Sequence, residues 1–149
     1  MIMKKSLMTS LILALVVTLA GCAGMSAKNA QLSIPDQGIL QDNDSGLMWQ
    51  LERSKIFNTY KEAQAFVEQL NLGGYDDWRL PTIYELYDLN FLFDLHKNGN
   101  ITLNREGNYW SGKKDGDGMI GAWAISAQQC DPARVYEPGT AGYVRAVRP

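Results

Sequence analysis

The sequence predicts an α+β domain in which two short helices precede a series of short antiparallel strands. Two segments begin with capping boxes and continue with the apolar period of a helix. In the C-terminal half, turn formers separate short apolar segments that are typical of strands. Helices followed by strands indicate the α+β class. A chain of 149 residues with 46% hydrophobic residues suits one globular domain.

Residues 1–21 predict a targeting signal and are set aside from the fold. Lys4 and Lys5 form a basic start. The uncharged apolar segment Ser6–Ala20 that follows is too short for a membrane span, which needs about 20 residues. The segment Leu19-Ala20-Gly21-Cys22 resembles the lipobox of bacterial lipoproteins, in which the signal is cleaved before the cysteine and the cysteine carries the lipid. The alternative is a plain signal peptide with an incidental cysteine.

The lipobox implies a location at the cell envelope. Ala23, and not aspartate, follows Cys22, which by resemblance to Gram-negative lipoproteins favours the outer membrane. Residues 22–35 are expected to form the lipidated cysteine and a short tether, and residues 36–149 the domain. The flexible segment 23–31 spans only about 16 Å on average, so the domain is expected close to the membrane surface. The face of the outer membrane and the oligomeric state stay open.

Charge and cysteine content bear on the possible partners. Removal of residues 1–21 takes away Lys4 and Lys5 and no acidic residue, so the formal net charge changes from −2 to −4. An acidic chain has no electrostatic reason to bind nucleic acid. Once Cys22 is lipidated, Cys130 is left without a partner for a disulfide, and its role stays open.

The first strand is predicted at residues 46–52, GLMWQLE, where apolar side chains alternate after the turn formers DNDSG. The first helix is predicted to begin at Thr59, which forms a capping box with Glu62. Gly73 and Gly74 are expected to end this helix. Its apolar face contains Tyr60, Ala63, Phe66, Val67 and Leu70.

A second capping box, Thr82 with Glu85, predicts a helix that runs to about Leu89. Because the residue before a proline avoids the helical region, Trp78–Leu80 is expected to be extended in front of Pro81. The inward side of this helix is predicted to contain Leu86, Leu89 and Phe93.

Short strands are predicted beyond Asn98-Gly99, which is a hairpin turn signal. The turns KKDGDG and EPGTAG separate several of them, which favours antiparallel pairing. The predicted strands are residues 100–104, 108–114, 121–127, 133–137 and 142–148.

The order of these motifs resembles a known family, the C-terminal domain of the Legionella collagen-like protein, a domain of unknown function. GLMW, GGYDDWRLPTIYEL, YWSG, GAW and YVRAVR follow one another over residues 36–149, and DWRLPT-x-x-EL is the specific part. The resemblance implies a C-type-lectin-like fold, related to the formylglycine-generating-enzyme scaffold. In that fold the N- and C-terminal strands pair, and two helices flank a small, twisted, mostly antiparallel sheet.

The resemblance also implies a surface or secreted domain, since some members are linked to glycan or glycosaminoglycan binding. Fold alone does not establish function. The sequence departs from the family at Ala146, where many members carry a cysteine that pairs with another near the first helix. The implied disulfide is therefore absent, which puts the stability of the domain in doubt and not its fold.

Adjacent Asp76 and Asp77 suggest acid–base catalysis, but glycosidase chemistry needs carboxylates roughly 5 to 9 Å apart across a bond. Beside two glycines, aspartate is favoured for its hydrogen bonds to the turn backbone. Arg79, Arg145 and Arg148 are expected to pair with Asp77 or Glu85 and to hold the terminal strand to this motif. The structural residues are predicted to be Asp77, Trp78, Arg79, Pro81, Thr82, Glu85, Trp110, Trp123, Arg145 and Arg148.

Aromatic side chains are the better candidates for ligand binding. Four tryptophans lie in extended segments, where large aromatic residues are mostly buried. They are Trp49, Trp78, Trp110 and Trp123. Tyrosines are expected to be partly exposed and to form any surface that stacks on a sugar. The candidate ligand-binding residues are Tyr75, Tyr109, Tyr136 and Tyr143.

Metal binding and catalysis find little support in the sequence. Asp42 and Asp44, like Asp115 and Asp117, lack the spacing of an EF-hand, so solvated turns are favoured over calcium sites. His96 is the one histidine, and any zinc site or Ser-His pair would have to use it. We therefore expect a protein that is not an enzyme, with no metal and no cofactor other than the covalent lipid.

The sequence thus predicts an outer-membrane lipoprotein with one ligand-binding domain. A glycan or glycosaminoglycan is the first candidate ligand. The alternative is a structural or assembly lipoprotein whose domain docks onto another envelope protein. An exposed aromatic cleft with a polar rim would favour a sugar, and a flat apolar patch would favour a protein.

Overall fold

A computed structural model describes residues 30–112, 118–125 and 134–149. These ranges contain two helices and two antiparallel sheets, which confirms the α+β class. The elements in chain order are β1 Leu32–Asp36, β2 Ile39–Asp42, β3 Met48–Gln50, α1 Tyr60–Glu68, α2 Ile83–Asp94, β4 Tyr109–Trp110, β5 Ile120–Ile125, β6 Arg134–Pro138 and β7 Val147–Arg148.

The first sheet has the strand order β1-β2-β3-β7. The strand predicted at residues 46–52 is β3, and it pairs with the C-terminal strand through Met48 opposite Arg148 and Trp49 opposite Val147. The structure adds two earlier strands, so β1 lies at the far edge of the sheet from β7. Leu32 of β1 is only 3% exposed, so part of the segment expected to be tether is packed into the domain.

The second sheet has the order β4-β5-β6, so the strands form two sheets where one was expected. In its long pair Trp123 lies opposite Tyr136. The strand predicted at residues 100–104 is wrong, because residues 101–106 have no regular structure. Ile101 and Leu103 pack singly against the core, which explains their strand-like alternation.

The helix starts agree with the sequence, and the helix ends do not. Both capping boxes are present, at Thr59 and at Thr82. Helix α1 ends at Glu68, before the glycines predicted to stop it. Gly73 and Gly74 have φ values of +64° and +78° and form the turn that follows. Helix α2 continues to Asp94, a full turn beyond the predicted end.

The core forms on both sides of β3. Trp49 packs with α2 in one cluster, and Met48 contacts a second cluster that contains Val67 of α1 and Trp78. Three of the four tryptophans are buried as predicted, and Trp123 is partly buried. Full burial of a large apolar side chain stabilises a protein by about 1.5–3 kcal/mol. Among the described residues, no helix has the length and apolar character needed to cross a membrane.

Candidate functional site

The GGYDDWRLPTIYEL motif holds the start of α2 through Arg79 and Glu85. The Arg79 guanidinium donates two hydrogen bonds to the Glu85 carboxylate, at 2.9 and 2.7 Å. Glu85 also accepts the Thr82 backbone N–H at 2.7 Å, as the capping box requires. Burial acts to raise the pKa of Glu85, but these hydrogen bonds and the charge of Arg79 outweigh it and lower the pKa.

The same motif holds the C-terminal strand through Asp77. Arg148 of β7 donates to both Asp77 carboxylate oxygens, at 2.5 and 3.0 Å. Its guanidinium also lies 3.8 Å from the centre of the Tyr75 ring. The pKa of Asp77 is lowered, and the main cause is the hydrogen bond from Arg148. Arg79 and Arg148 thus make the predicted contacts with Glu85 and Asp77.

Arg145 does not pair with Asp77 or Glu85, so that expectation is wrong. The side chain is only 2% exposed and donates to the carbonyl oxygens of Gln50, Leu51 and Asn104. Backbone carbonyls thus replace water around a buried cation. Burial lowers the pKa of Arg145. Its guanidinium lies over the ring of Tyr109, 5.7 Å from the centroid.

The four tyrosines chosen from the sequence do not form one surface. Tyr109 is 6% exposed and donates to the Asn104 carbonyl, so its expected partial exposure is wrong. The ring centroids of Tyr143 and Tyr109 are 5.8 Å apart. The Arg53 guanidinium covers the Tyr143 ring, 3.6 Å from its centroid. Tyr75 contacts Arg148, and Tyr136 belongs to a separate aromatic group.

A row of aromatic rings connects the second sheet to α2. The ring centroids of Tyr136 and Trp123 are 5.4 Å apart, and those of Trp123 and Tyr87 are 4.9 Å apart. Tyr87 stacks on Phe91 with a centroid distance of 5.9 Å. The Trp123 indole N–H donates to the Ile83 carbonyl at 2.8 Å, which fixes the row against the helix. Phe91, at the end of the row, is 42% exposed. The stacking on Tyr87 therefore holds the exposed ring of Phe91 in position at the surface.

Phe91 opens into a groove between α2 and the turn at residues 42–45. This acidic groove has a volume of about 470 Å³. Phe91, Leu92 and Leu95 supply its apolar wall. The polar rim contains Gln31, Asp42, Asp44, Ser45, Asp88 and Lys97. The acidic groove therefore combines one aromatic ring, Phe91, with a polar rim.

Two carboxylates of the acidic groove have opposite environments. Asp42 accepts hydrogen bonds from Gln31 Nε2 at 2.8 Å and Ser45 Oγ at 2.6 Å. Burial acts to raise the pKa of Asp42, but these bonds outweigh it and lower the pKa. Asp88 has no such donor among the described residues. Burial, followed by the charges of Glu85 and Asp42, raises the pKa of Asp88.

The acidic groove is not evident in the sequence. The spacing of Asp42 and Asp44 raises only the question of a calcium site, and no motif includes Asp88 or Phe91. The available signal was the outward side of α2, where Tyr84, Asp88 and Phe91 repeat at helical spacing. Among the described residues no three His, Cys, Asp or Glu side chains form a group that could hold a metal. Asp115, Asp117, Cys22 and Cys130 lie outside the described residues.

The structure defines a small α+β domain with an acidic groove at its surface. Residues 38–148 match the family model described as the Lcl C-terminal domain, and the chain belongs to this family. Membership indicates a surface or secreted domain whose function is not established. A search of curated proteins and a search of solved structures each found no match. The C-type-lectin-like fold stays a prediction.

Proposed function

We propose that this protein is an outer-membrane lipoprotein, anchored by lipid on Cys22, that binds a glycan in the acidic groove without catalysing a reaction. The observation that carries the proposal is Phe91, an exposed aromatic ring within a groove of about 470 Å³ that has a polar rim. Ligand sites typically combine an apolar wall with a few placed polar groups. A sugar ring stacks on Phe91 while its hydroxyls meet the rim.

The rim supplies hydrogen-bond acceptors in fixed positions. Asp42 is held by Gln31 and Ser45, which reduces the entropy lost when a ligand binds. An ionised carboxylate is an acceptor only, so it suits the hydroxyl and amine donors of a sugar. Asp88 has a carboxylate without a donor among the described residues, and a ligand can supply one.

The charge of the groove selects among glycans. Asp42, Asp44 and Asp88 face a single cation, Lys97, among the lining residues. Bringing a sulfate into this groove would place like charges together, and like charges repel. We therefore propose that the ligand is a neutral or amine-bearing glycan and not a sulfated glycosaminoglycan.

The proposed anchor places this groove near the membrane. The chain enters the domain beside α2, where the Gln31 N–H donates to the Lys97 carbonyl at 2.8 Å, and both residues line the groove. A tether of about eight residues leads back to Cys22, so a lipidated protein holds the groove close to the bilayer. Labelled fatty acid should appear in the natural protein and not in Cys22→Ala. Equal labelling of both proteins would rule out this anchor.

A charge series of oligosaccharides tests the ligand class. Neutral chitotetraose, its de-N-acetylated form and a heparin tetrasaccharide are titrated into the full-length chain by calorimetry, in a detergent without a sugar headgroup. Chitotetraose and its amine form should bind, and heparin should not. Phe91→Ala should weaken binding by about tenfold, because the C–H face of the sugar loses the apolar surface on which it packs, and about 1.4 kcal/mol corresponds to a tenfold change in affinity.

Tyr84→Ala is the matched control, because Tyr84 is exposed on the same helix but does not line the groove. It should leave glycan binding unchanged. Heparin binding that Phe91→Ala does not affect would contradict the proposal.

A second candidate function is docking onto another envelope protein. It is favoured by the exposed apolar residues Tyr84, Phe91 and Leu95 along α2, with 68%, 42% and 46% exposure. Exposed apolar patches mark interaction surfaces. In this case Tyr84→Ala should reduce chemical crosslinking of the anchored protein to its neighbour, while it leaves chitotetraose binding unaffected.

A further inference from the structure

A second groove lies directly beside the acidic groove. This amide groove has a volume of about 360 Å³ and is lined by side chains of neutral character, among them Ser33, Asn43, Asn98 and Asn100. None of its lining residues carries a charge at neutral pH. It therefore differs in chemistry from the acidic groove, although the two adjoin.

Consecutive residues of the chain contribute to the linings of the two grooves. Gln31 and Lys97 line the acidic groove, and the next residues along the chain, Leu32 and Asn98, line the amide groove. The N–H groups of Gln31 and Leu32 donate to the Lys97 carbonyl, at 2.8 and 3.4 Å. Consecutive Cα atoms are about 3.8 Å apart. A ligand longer than one sugar unit can therefore contact both grooves.

The amides of the second groove are held in place with unused hydrogen-bonding capacity. Asn43 Oδ1 accepts from Ser33 Oγ at 2.9 Å, and Asn98 Nδ2 donates to the Ile101 carbonyl at 2.8 Å. Asn43 Nδ2 and Asn98 Oδ1 then have no partner among the described residues. One is a donor and the other an acceptor, so the groove suits neutral groups that both donate and accept, such as hydroxyls and N-acetyl groups.

We infer that the ligand is an oligosaccharide that occupies both grooves, with one unit against Phe91 and an adjoining unit among the asparagines. This inference rests on the proposed function and specifies the size of its ligand. The carboxylates of the acidic groove accept hydrogen bonds from the first unit, and the amides of the second groove bind the uncharged groups of the next. Occupation of the second groove adds affinity that a single sugar cannot obtain.

The test is a length series titrated into the full-length chain, again in a detergent without a sugar headgroup. N-acetylglucosamine, its dimer and its tetramer are compared by calorimetry. Each additional net hydrogen bond should raise affinity about 2- to 12-fold, so the tetramer should bind at least about tenfold more tightly than the single sugar.

Variants separate the two grooves. Asn100→Ala and Asn43→Ala should lower tetramer affinity several-fold and leave the affinity for the single sugar unchanged. Phe91→Ala should lower both. An unchanged urea midpoint for Asn100→Ala shows that its effect arises from binding and not from folding.

The outcomes distinguish this inference from the proposed function. Equal affinity for the single sugar and the tetramer, with both weakened by Phe91→Ala, overturns the two-groove inference and leaves glycan binding intact. The same holds if Asn100→Ala and Asn43→Ala bind the tetramer as the natural protein does. Failure of every oligosaccharide to bind overturns the proposed function and the inference with it.

Discussion

The two helices begin in the same way and differ on their outward sides. In α1 the Glu62 N–H donates to Thr59 Oγ1 at 3.3 Å, and in α2 the Glu85 N–H donates to Thr82 Oγ1 at 3.1 Å. Each glutamate carboxylate in turn accepts a hydrogen bond from the backbone N–H of its threonine. The local signal that starts a helix is therefore the same in both.

The outward sides show different uses of the same element. Helix α1 exposes polar residues such as Lys61 and Glu68 and buries Ala63 and Val67. Helix α2 buries apolar residues on one side and exposes Tyr84 and Phe91 on the other, and Leu95 is exposed just after its end. A helix needs only one apolar side to pack in a domain. The exposed aromatic residues on the outward side of α2 are therefore the basis of the binding surface proposed above.

The largest expected effect is the difference in unfolding free energy between variants on the buried and the exposed side of α2. Leu89→Ala should lower the free energy of unfolding by about 2–5 kcal/mol, because it leaves a cavity in the core. Phe91→Ala should lower it by about 1 kcal/mol or less, since the ring is 42% exposed and loses mainly its stacking on Tyr87. Urea denaturation of both variants measures the difference.

Val67→Ala is the matching variant in α1, where the side chain is fully buried. It should destabilise the fold as Leu89→Ala does but by less, because fewer side-chain carbon atoms are removed. A Phe91→Ala variant as unstable as Leu89→Ala would show that Phe91 belongs to the core, and the comparison between the helices would fail.

A smaller effect distinguishes the starts of the two helices. Removal of an N-cap threonine costs about 0.5–2 kcal/mol. Thr82→Ala should lie in the upper half of this range and Thr59→Ala in the lower half, because Glu85 is partly buried and also bound by Arg79. Chemical denaturation of the two single variants measures the difference. Equal losses would mean that the Arg79 contact adds nothing to the cap.

The parts of the fold that were predicted correctly depend on local patterns. The capping boxes at Thr59 and Thr82, and the buried positions of α2, follow from residues within a few turns of one another. The end of α1 was wrong because Gly73 and Gly74 serve the later turn. Glycine indicates a position with positive φ, and such positions occur both at helix ends and in other turns.

The parts that were missed depend on contacts between distant segments. Arg145 is held by carbonyls of Gln50 and Leu51, which lie far away in the sequence. The acidic groove forms where α2 meets the turn at residues 42–45, and neither segment alone shows a cleft. The exposure of Phe91 follows from which side of α2 packs inward, so the sequence could indicate an outward aromatic residue but not its neighbours.

A pH series sharpens the comparison through Glu85 and Glu62. The folded-state pKa of each is lowered, by several hydrogen bonds that outweigh burial at Glu85 and mainly by the Thr59 hydroxyl at Glu62. A lowered pKa stabilises the fold above the unfolded value of about 4.3, and this stability is lost as the pH falls through the folded-state pKa. Glu85→Gln should flatten the fall in unfolding free energy between about pH 5 and 3 more than Glu62→Gln does. Equal slopes for the two variants would show that the ion pair with Arg79 adds nothing to the pH dependence at Glu85.

The smallest expected effect has the opposite sign and concerns Asp88 on the outward side of α2. Burial and the charges of Glu85 and Asp42 raise the pKa of Asp88, so its ionisation destabilises the fold as the pH rises above the unfolded value of about 3.9. Asp88→Asn should therefore raise the free energy of unfolding slightly at pH 7 and leave it unchanged at pH 3. The same variant should weaken binding of the amine-bearing tetrasaccharide more than that of chitotetraose. Urea denaturation at both pH values and calorimetry with both sugars measure these effects. A variant that is less stable at pH 7 would show that the carboxylate has a structural partner, and the role of Asp88 in ligand binding would lose its physical basis.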